Sequence, residues 1–152
     1  MLIKRNETVC VAESSSGGLI SACLLSFPGA SKYFVGGSVL YSYQIREAIV
    51  NMGEKEHAKY GGSTPELVSD LASHFRNKLS TTWCIGEAGA SGPTNSPYGH
   101  PAGYTALAIQ GPVNQMRTFE TKSSDRIENM MLFTREALQF FLSVLKVHSE
   151  NL

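Results

Sequence analysis

The stretch Ala12-Glu13-Ser14-Ser15-Ser16-Gly17-Gly18 joins a short apolar, strand-like run, Thr8 to Val11, to a helix-like run from Leu19 to Phe27. A strand that turns through hydroxyls and glycines into a helix constrains the fold more than any other feature of the chain. The glycines let the backbone turn tightly and approach a ligand closely. Backbone N–H groups at the start of a helix attract anions and stabilise a developing oxyanion. Ser14, Ser15 and Ser16 add a possible nucleophile at the same place. The alternative is that a serine simply caps the helix, which requires no function.

Strand and helix signals alternate beyond this turn. Pro28-Gly29-Ala30-Ser31 is a stop-and-turn signal, and Tyr33 to Tyr43 is rich in aromatic and β-branched residues, with Gly36-Gly37 as a bend or bulge. Gln44 to Met52 has a helical pattern, and Glu54 to Tyr60 reads as a polar segment, either a turn or a short helix. Ser63 or Thr64, followed by Pro65 and Glu66, starts a helix whose core stripe is Leu67, Leu71, Phe75 and Leu79. Thr81 to Gly86 is read as a strand, and Glu87 to Gly103 as a long glycine- and proline-rich loop, of the kind that carries function. Tyr104 to Ile109 and Gln115 to Thr121 form a hairpin pattern. Asp125 caps a final helix to about Val147, with Ile127, Met131, Leu138, Phe141, Leu142 and Leu145 among its apolar positions. Alternation followed by a hairpin predicts an α/β domain with a mixed sheet covered by helices on both faces.

The 152 residues suit one domain, 1–152, with one sizeable core. Thirteen acidic and thirteen basic residues balance, so no net field favours nucleic acid or an anionic membrane. Neither a membrane-length apolar run nor a signal-peptide pattern is expected, and the reading is a cytoplasmic protein. Cys10, Cys23 and Cys84 are odd in number and lie in apolar runs without C-x-x-C spacing, so free thiols are expected rather than a disulfide framework or a zinc site.

Four motifs together resemble one family. AESSSGG is similar to the AESCTGG of the CinA C-terminal domain, the family of the competence-damage-inducible protein and of nicotinamide-nucleotide amidase. VLYSYQIREAI, GASGP and HPAGYTALAI are similar to its VTYSNEAKQEL, GIAGP and KPVGTVWIA, in the same order, and Ser124-Asp125-Arg126 falls on its Gly-Asp-Arg. The resemblance runs from about Thr8 to Leu145, with the helix before the first strand shortened or absent.

The resemblance implies a three-layer α/β/α sandwich with a mixed β-sheet. It also implies deamidation of nicotinamide mononucleotide to the nicotinate mononucleotide, by a serine assisted by a lysine and a nearby tyrosine. Neither cofactor nor metal is implied. The expected partners are a small nucleotide-like substrate and other copies of the chain in a homo-oligomer, with no nucleic acid and no membrane. Carried over by position, the nucleophile is Ser14, the tyrosine Tyr41, and the lysine position holds Arg46. A guanidinium stays protonated and does not replace lysine as a base. Substrate binding falls on Ser15, Ser16, Gly17, Ala88, Gly89, His100 and Arg126. Ala88 stands where the family has a hydroxyl, and His100 where it has a lysine. Arg126 suits a phosphate or carboxylate. His57, His74 and His148 are assigned no role, and Glu87 is either a structural carboxylate or a new site group. Three functions follow: an active amidohydrolase, a degenerate nucleotide-binding or regulatory module, or a structural subunit with a vestigial cleft.

Overall fold

The computed structural model describes residues 1–150. Its elements run α1 Leu2–Arg5, β1 Val9–Glu13, α2 Leu19–Leu25, a 3₁₀ turn Ala30–Lys32, β2 Phe34–Val39, α3 Tyr43–Val50 and α4 Glu54–His57. They continue with α5 Pro65–Leu79, β3 Trp83–Ala90, β4 Tyr104–Gln110, β5 Gln115–Glu120 and α6 Arg126–Glu150. The five strands form one sheet in the order β2-β1-β3-β4-β5. The β1 pairings with β2 and β3 are parallel, and β3–β4 and β4–β5 are antiparallel, so the sheet is mixed as expected.

Alternate residues of the central strands point to opposite faces, and two apolar clusters follow. Val9, Val11, Trp83 and Ile85 pack with Ile20, Phe140, Phe141 and Leu145 beneath α2 and α6. Cys10, Ala12 and Cys84 pack with Leu67, Leu71 and Phe75 of α5 and with Val50 of α3. Helices on both faces complete the three-layer α/β/α arrangement. No helix among the described residues is long and apolar enough to cross a membrane.

Local chemistry sets the boundaries. Thr64 caps α5 by accepting from the Leu67 N–H at 3.2 Å, with Pro65 in the first turn. Asp125 Oδ1 accepts from the Glu128 N–H at 2.9 Å where α6 begins. The register shift between β1 and β2 falls at Val9/Cys10 and leaves Val35 as the extra residue, one position before the expected Gly36-Gly37 bulge; the two glycines pair regularly with Cys10 and Val11.

Three expectations change. β3 does not stop at Gly86 but continues to Ala90, because β4 supplies it with a full antiparallel ladder from Cys84↔Gln110 to Ala90↔Tyr104. Gly89 makes this possible: a Cβ there would lie 2.2 Å from the Tyr104 carbonyl oxygen. In α6, Ile127, Met131 and Leu142 are exposed, and the buried stripe is Asn129, Phe133, Thr134, Ala137, Phe140, Phe141, Val144 and Leu145. The helix after the β1 turn begins at Leu19 as expected but ends at Leu25, and its N-cap is Gly18, with no side-chain cap bond. None of the three serines caps it.

Candidate functional site

β1 ends at Glu13 beside the middle of β3, where Glu87 follows the Ala12↔Gly86 pair, so the two strands bring two buried glutamates together. Glu13 and Glu87 lie on the α2 face, in step with Val9, Val11, Trp83 and Ile85, and each is at most 1% exposed. Glu87 accepts from the Ser14 N–H at 3.1 Å, the Ser16 N–H at 2.9 Å, Ser16 Oγ at 2.8 Å and Thr105 Oγ1 at 2.9 Å, and from the Ser15 hydroxyl. Glu13 accepts from Ser16 Oγ at 2.7 Å, Ser21 Oγ at 2.6 Å, and the N–H groups of Ile20 and Ser21 at 3.1 Å. Ser16 Oγ therefore bridges the two carboxylates, its single proton serving one at a time. The anion-binding turn expected from the sequence does bind anions, and they are the chain's own carboxylates. Glu87 is thus a structural carboxylate, which resolves the alternatives the sequence left open.

This network turns Ser14 outward. Ser14 is 7% exposed, and among the described residues its hydroxyl takes no hydrogen bond. It lines a cavity of about 350 Å³ together with Tyr41, Arg46, His57, Gly89 and Tyr98. An adjoining cavity of about 200 Å³ shares Tyr41 and Gly89 and adds Ser15, Gly92 and Arg126. The Ser15 carbonyl accepts from Ser91 Oγ at 3.0 Å, which ties the serine turn to the loop after β3. Arg126 Nη1 donates to the Gly92 carbonyl at 2.6 Å.

Ser14, Tyr41, Arg46 and Gly89 are therefore brought together, with Ser15 and Arg126 next to them. Four predicted residues are not. Ser16 is fully buried between the two glutamates. Gly17, with φ +66°, shapes the turn beside Met130 and lines neither cavity. Ala88 is fully buried with Val68, Ala106 and Ala108, because the strand's alternation points it toward α5 rather than the cleft. His100 stacks on Tyr104, with ring centroids 4.2 Å apart and planes 2° from parallel, and lines neither cavity.

His57 is the residue that sequence reasoning missed. It ends α4, is 2% exposed, and lines the Ser14 cavity. Its Nδ1 lies 2.8 Å from Arg46 Nη1. A guanidinium only donates, so Nδ1 accepts and the neutral ring carries its proton on Nε2. Burial lowers the His57 pKa below its ordinary value, and the Arg46 charge pushes the same way. Nε2 is buried and without a partner among the described residues. The rings of Tyr43 and Tyr98 flank the imidazole at 5.2 Å and 4.8 Å. A lone histidine in a polar segment gives no sequence signal of this arrangement. Only the fold brings α4 back against α3.

Arg46 is 4% exposed; its Nε donates to the Leu40 carbonyl at 2.8 Å. Burial lowers its pKa, and Tyr43 and Glu87 oppose that by attraction. Among the described residues it has no carboxylate within 4.0 Å.

Comparison with known proteins agrees with this fold. The model of the CinA C-terminal domain matches residues 1–145. A CinA-like protein of Prochlorococcus marinus is 33% identical over 152 residues, which cover 98% of this chain and 36% of that protein. The chain thus spans about a third of the length of such relatives. The crystal structure of a competence or damage-inducible protein from Enterobacter asburiae superposes with a TM-score of 0.88 at 21% identity, covering 95% of this chain and 91% of that one. A competence damage-inducible protein A from Klebsiella pneumoniae gives 0.88 at 20% identity, covering 95% and 90%. At that identity the structures establish a shared fold, and the family match supplies the rest: the chain belongs to the CinA C-terminal domain family.

Proposed function

We propose that the Ser14 cleft is an amidohydrolase site of the nicotinamide-nucleotide amidase type, whose turnover is slow because position 46 is arginine. One observation carries the reading: an unengaged serine hydroxyl opens into a cavity with Tyr41 and Arg46, next to a second cavity that holds Arg126. In this reading Ser14 Oγ attacks the carboxamide carbon of nicotinamide mononucleotide. Ammonia leaves, and water releases the nicotinate mononucleotide from the acyl-enzyme. Arg46 and the His57 Nε2–H stabilise the negative charge that develops on the carbonyl oxygen. Arg126 holds the phosphate in the adjoining cavity.

The attack also needs a group to take the Ser14 proton. Arg46 remains a donor, and the tautomer of His57 leaves no lone pair on Nε2 for it. That observation favours a second reading, in which the domain binds the nucleotide without turning it over.

Incubation with nicotinamide mononucleotide, with ammonia release and binding measured together, separates the two readings. The expected result is binding with minimal ammonia release, and Ser14→Ala should abolish the release while leaving binding. Arg46→Lys should raise the rate by ~10²–10⁴-fold, the usual worth of general acid–base assistance. Ala88→Thr should not add to it, since that side chain enters the core. An Arg46→Lys protein as slow as wild type, or ammonia release that survives Ser14→Ala, contradicts the amidase reading.

A further inference from the structure

The Ser14 cavity presents an unusual inventory of unpaired groups. Arg46 brings a full positive charge that is 4% exposed and has no carboxylate within 4.0 Å among the described residues. Its two bonds are to the neutral Leu40 carbonyl and to His57 Nδ1, which leaves Nη2 without a partner among the described residues. His57 adds a buried Nε2–H that is also unpaired. Glu87 attracts Arg46 through space, but its oxygens are already engaged by the serine turn and Thr105.

A buried cation and an orphaned buried donor each carry a desolvation cost until an acceptor arrives. Both can only donate. A carboxamide would have to turn its NH₂ away from them and meet the charge with one neutral oxygen. A carboxylate or a phosphate is acceptor-only, carries the opposite charge, and matches a guanidinium in shape.

We propose that the Arg46–His57 pair makes this cavity an oxyanion-recognition site, selective for the acid form of a ligand over its amide. Tyr41, Tyr43 and Tyr98 line the same cavity and suit an aromatic ring that bears the anionic group. The choice of probes rests on the nucleotide reading above, but the preference for an anion does not require turnover. It also gives slow turnover a second origin, since a site of this kind holds the product acid more tightly than the substrate amide.

The test is calorimetric titration of Ser14→Ala, in which hydrolysis does not intrude, with nicotinate mononucleotide and with nicotinamide mononucleotide. These probes share ribose and phosphate, so the affinity ratio isolates the carboxylate. Inorganic phosphate as competitor tells whether a phosphate takes the same place. The acid is expected to bind roughly tenfold or more tightly, as for a hydrogen bond to a charged group. Adding Arg46→Met should bring the ratio close to one. His57→Asn, which keeps an acceptor for Arg46 and removes the distal donor, should lower acid affinity severalfold. His57→Gln, which reaches the Nε2 position with an N–H, should largely restore it. Arg46-dependent competition by phosphate would support the site with phosphate as its occupant. Equal or tighter binding of the amide, a ratio that survives Arg46→Met, or no binding of either nucleotide or phosphate would overturn the proposal. Ammonia release, assayed separately with wild type, decides the amidase reading, so either can fail while the other stands.

Discussion

Two buried clusters, the glutamates under the serine turn and the arginine–histidine pair of the Ser14 cavity, are built on opposite rules. The acidic cluster, Glu13 and Glu87, is saturated: each carboxylate is ringed by serine hydroxyls and backbone N–H groups, joined through Ser16. The basic cluster, Arg46 and His57, makes one bond within itself and one to Leu40, then leaves donors unmatched. Saturation is what holds a turn in place. Buried polar groups that lack protein partners are available to a ligand. The difference assigns the glutamates to structure and the arginine–histidine pair to recognition, although all four side chains are at most 4% exposed.

The largest effect that sharpens this contrast is on stability. Glu87→Ala strands the N–H groups of Ser14 and Ser16 and the hydroxyls of Ser15 and Thr105, and should cost on the order of 3 kcal/mol or more in urea unfolding. Arg46→Met, by contrast, removes a buried cation without a contacting carboxylate. The change strands the Leu40 carbonyl and His57 Nδ1 but relieves the cost of an unpaired buried charge, so the ligand-free protein should lose clearly less stability than with Glu87→Ala, on the order of 1 kcal/mol. Equal losses in the two variants would break the comparison.

A smaller effect lies in pH. His57 faces the charge of Arg46 and the rings of Tyr43 and Tyr98, and its folded pKa is lowered by burial and by Arg46. A lowered histidine pKa means that protonation opposes folding. The stability it contributes is fully present above the ordinary value of 6.5 and is lost as pH falls through the lower folded value. His100, lowered by burial, acts in the same direction. Unfolding curves below pH 6.5 should therefore be steeper in pH for wild type than for His57→Asn. Identical slopes would mean that His57 is not held neutral.

The framework was legible because its signals are local. Thr64-Pro65-Glu66 and Asp125 announce helix starts by capping chemistry, and the β1 turn is written in glycines and serines. The far end of β3 was not, since Glu87-Ala-Gly-Ala has little strand propensity and becomes a strand only by pairing with β4. The same extension decided the fate of predicted site residues, pointing Glu87 under the serine turn and Ala88 into the core. Ser14, Tyr41 and Arg46 were found by resemblance and do converge on one cavity. His57 was out of reach, because its meaning depends on a contact between two helices and not on its neighbours in the chain.

The central claim is that Arg46 holds His57 as an Nε2–H donor for a ligand in the Ser14 cavity. A long-range ¹H–¹⁵N spectrum of the imidazole nitrogens tests it most directly, recorded at neutral pH with and without nicotinate mononucleotide. The account predicts a neutral His57 ring with its proton on Nε2, and a shift of that Nε2–H signal on saturation with the ligand. A ring protonated on Nδ1, a cationic ring in the free protein, or an Nε2–H signal unmoved by the ligand would contradict it.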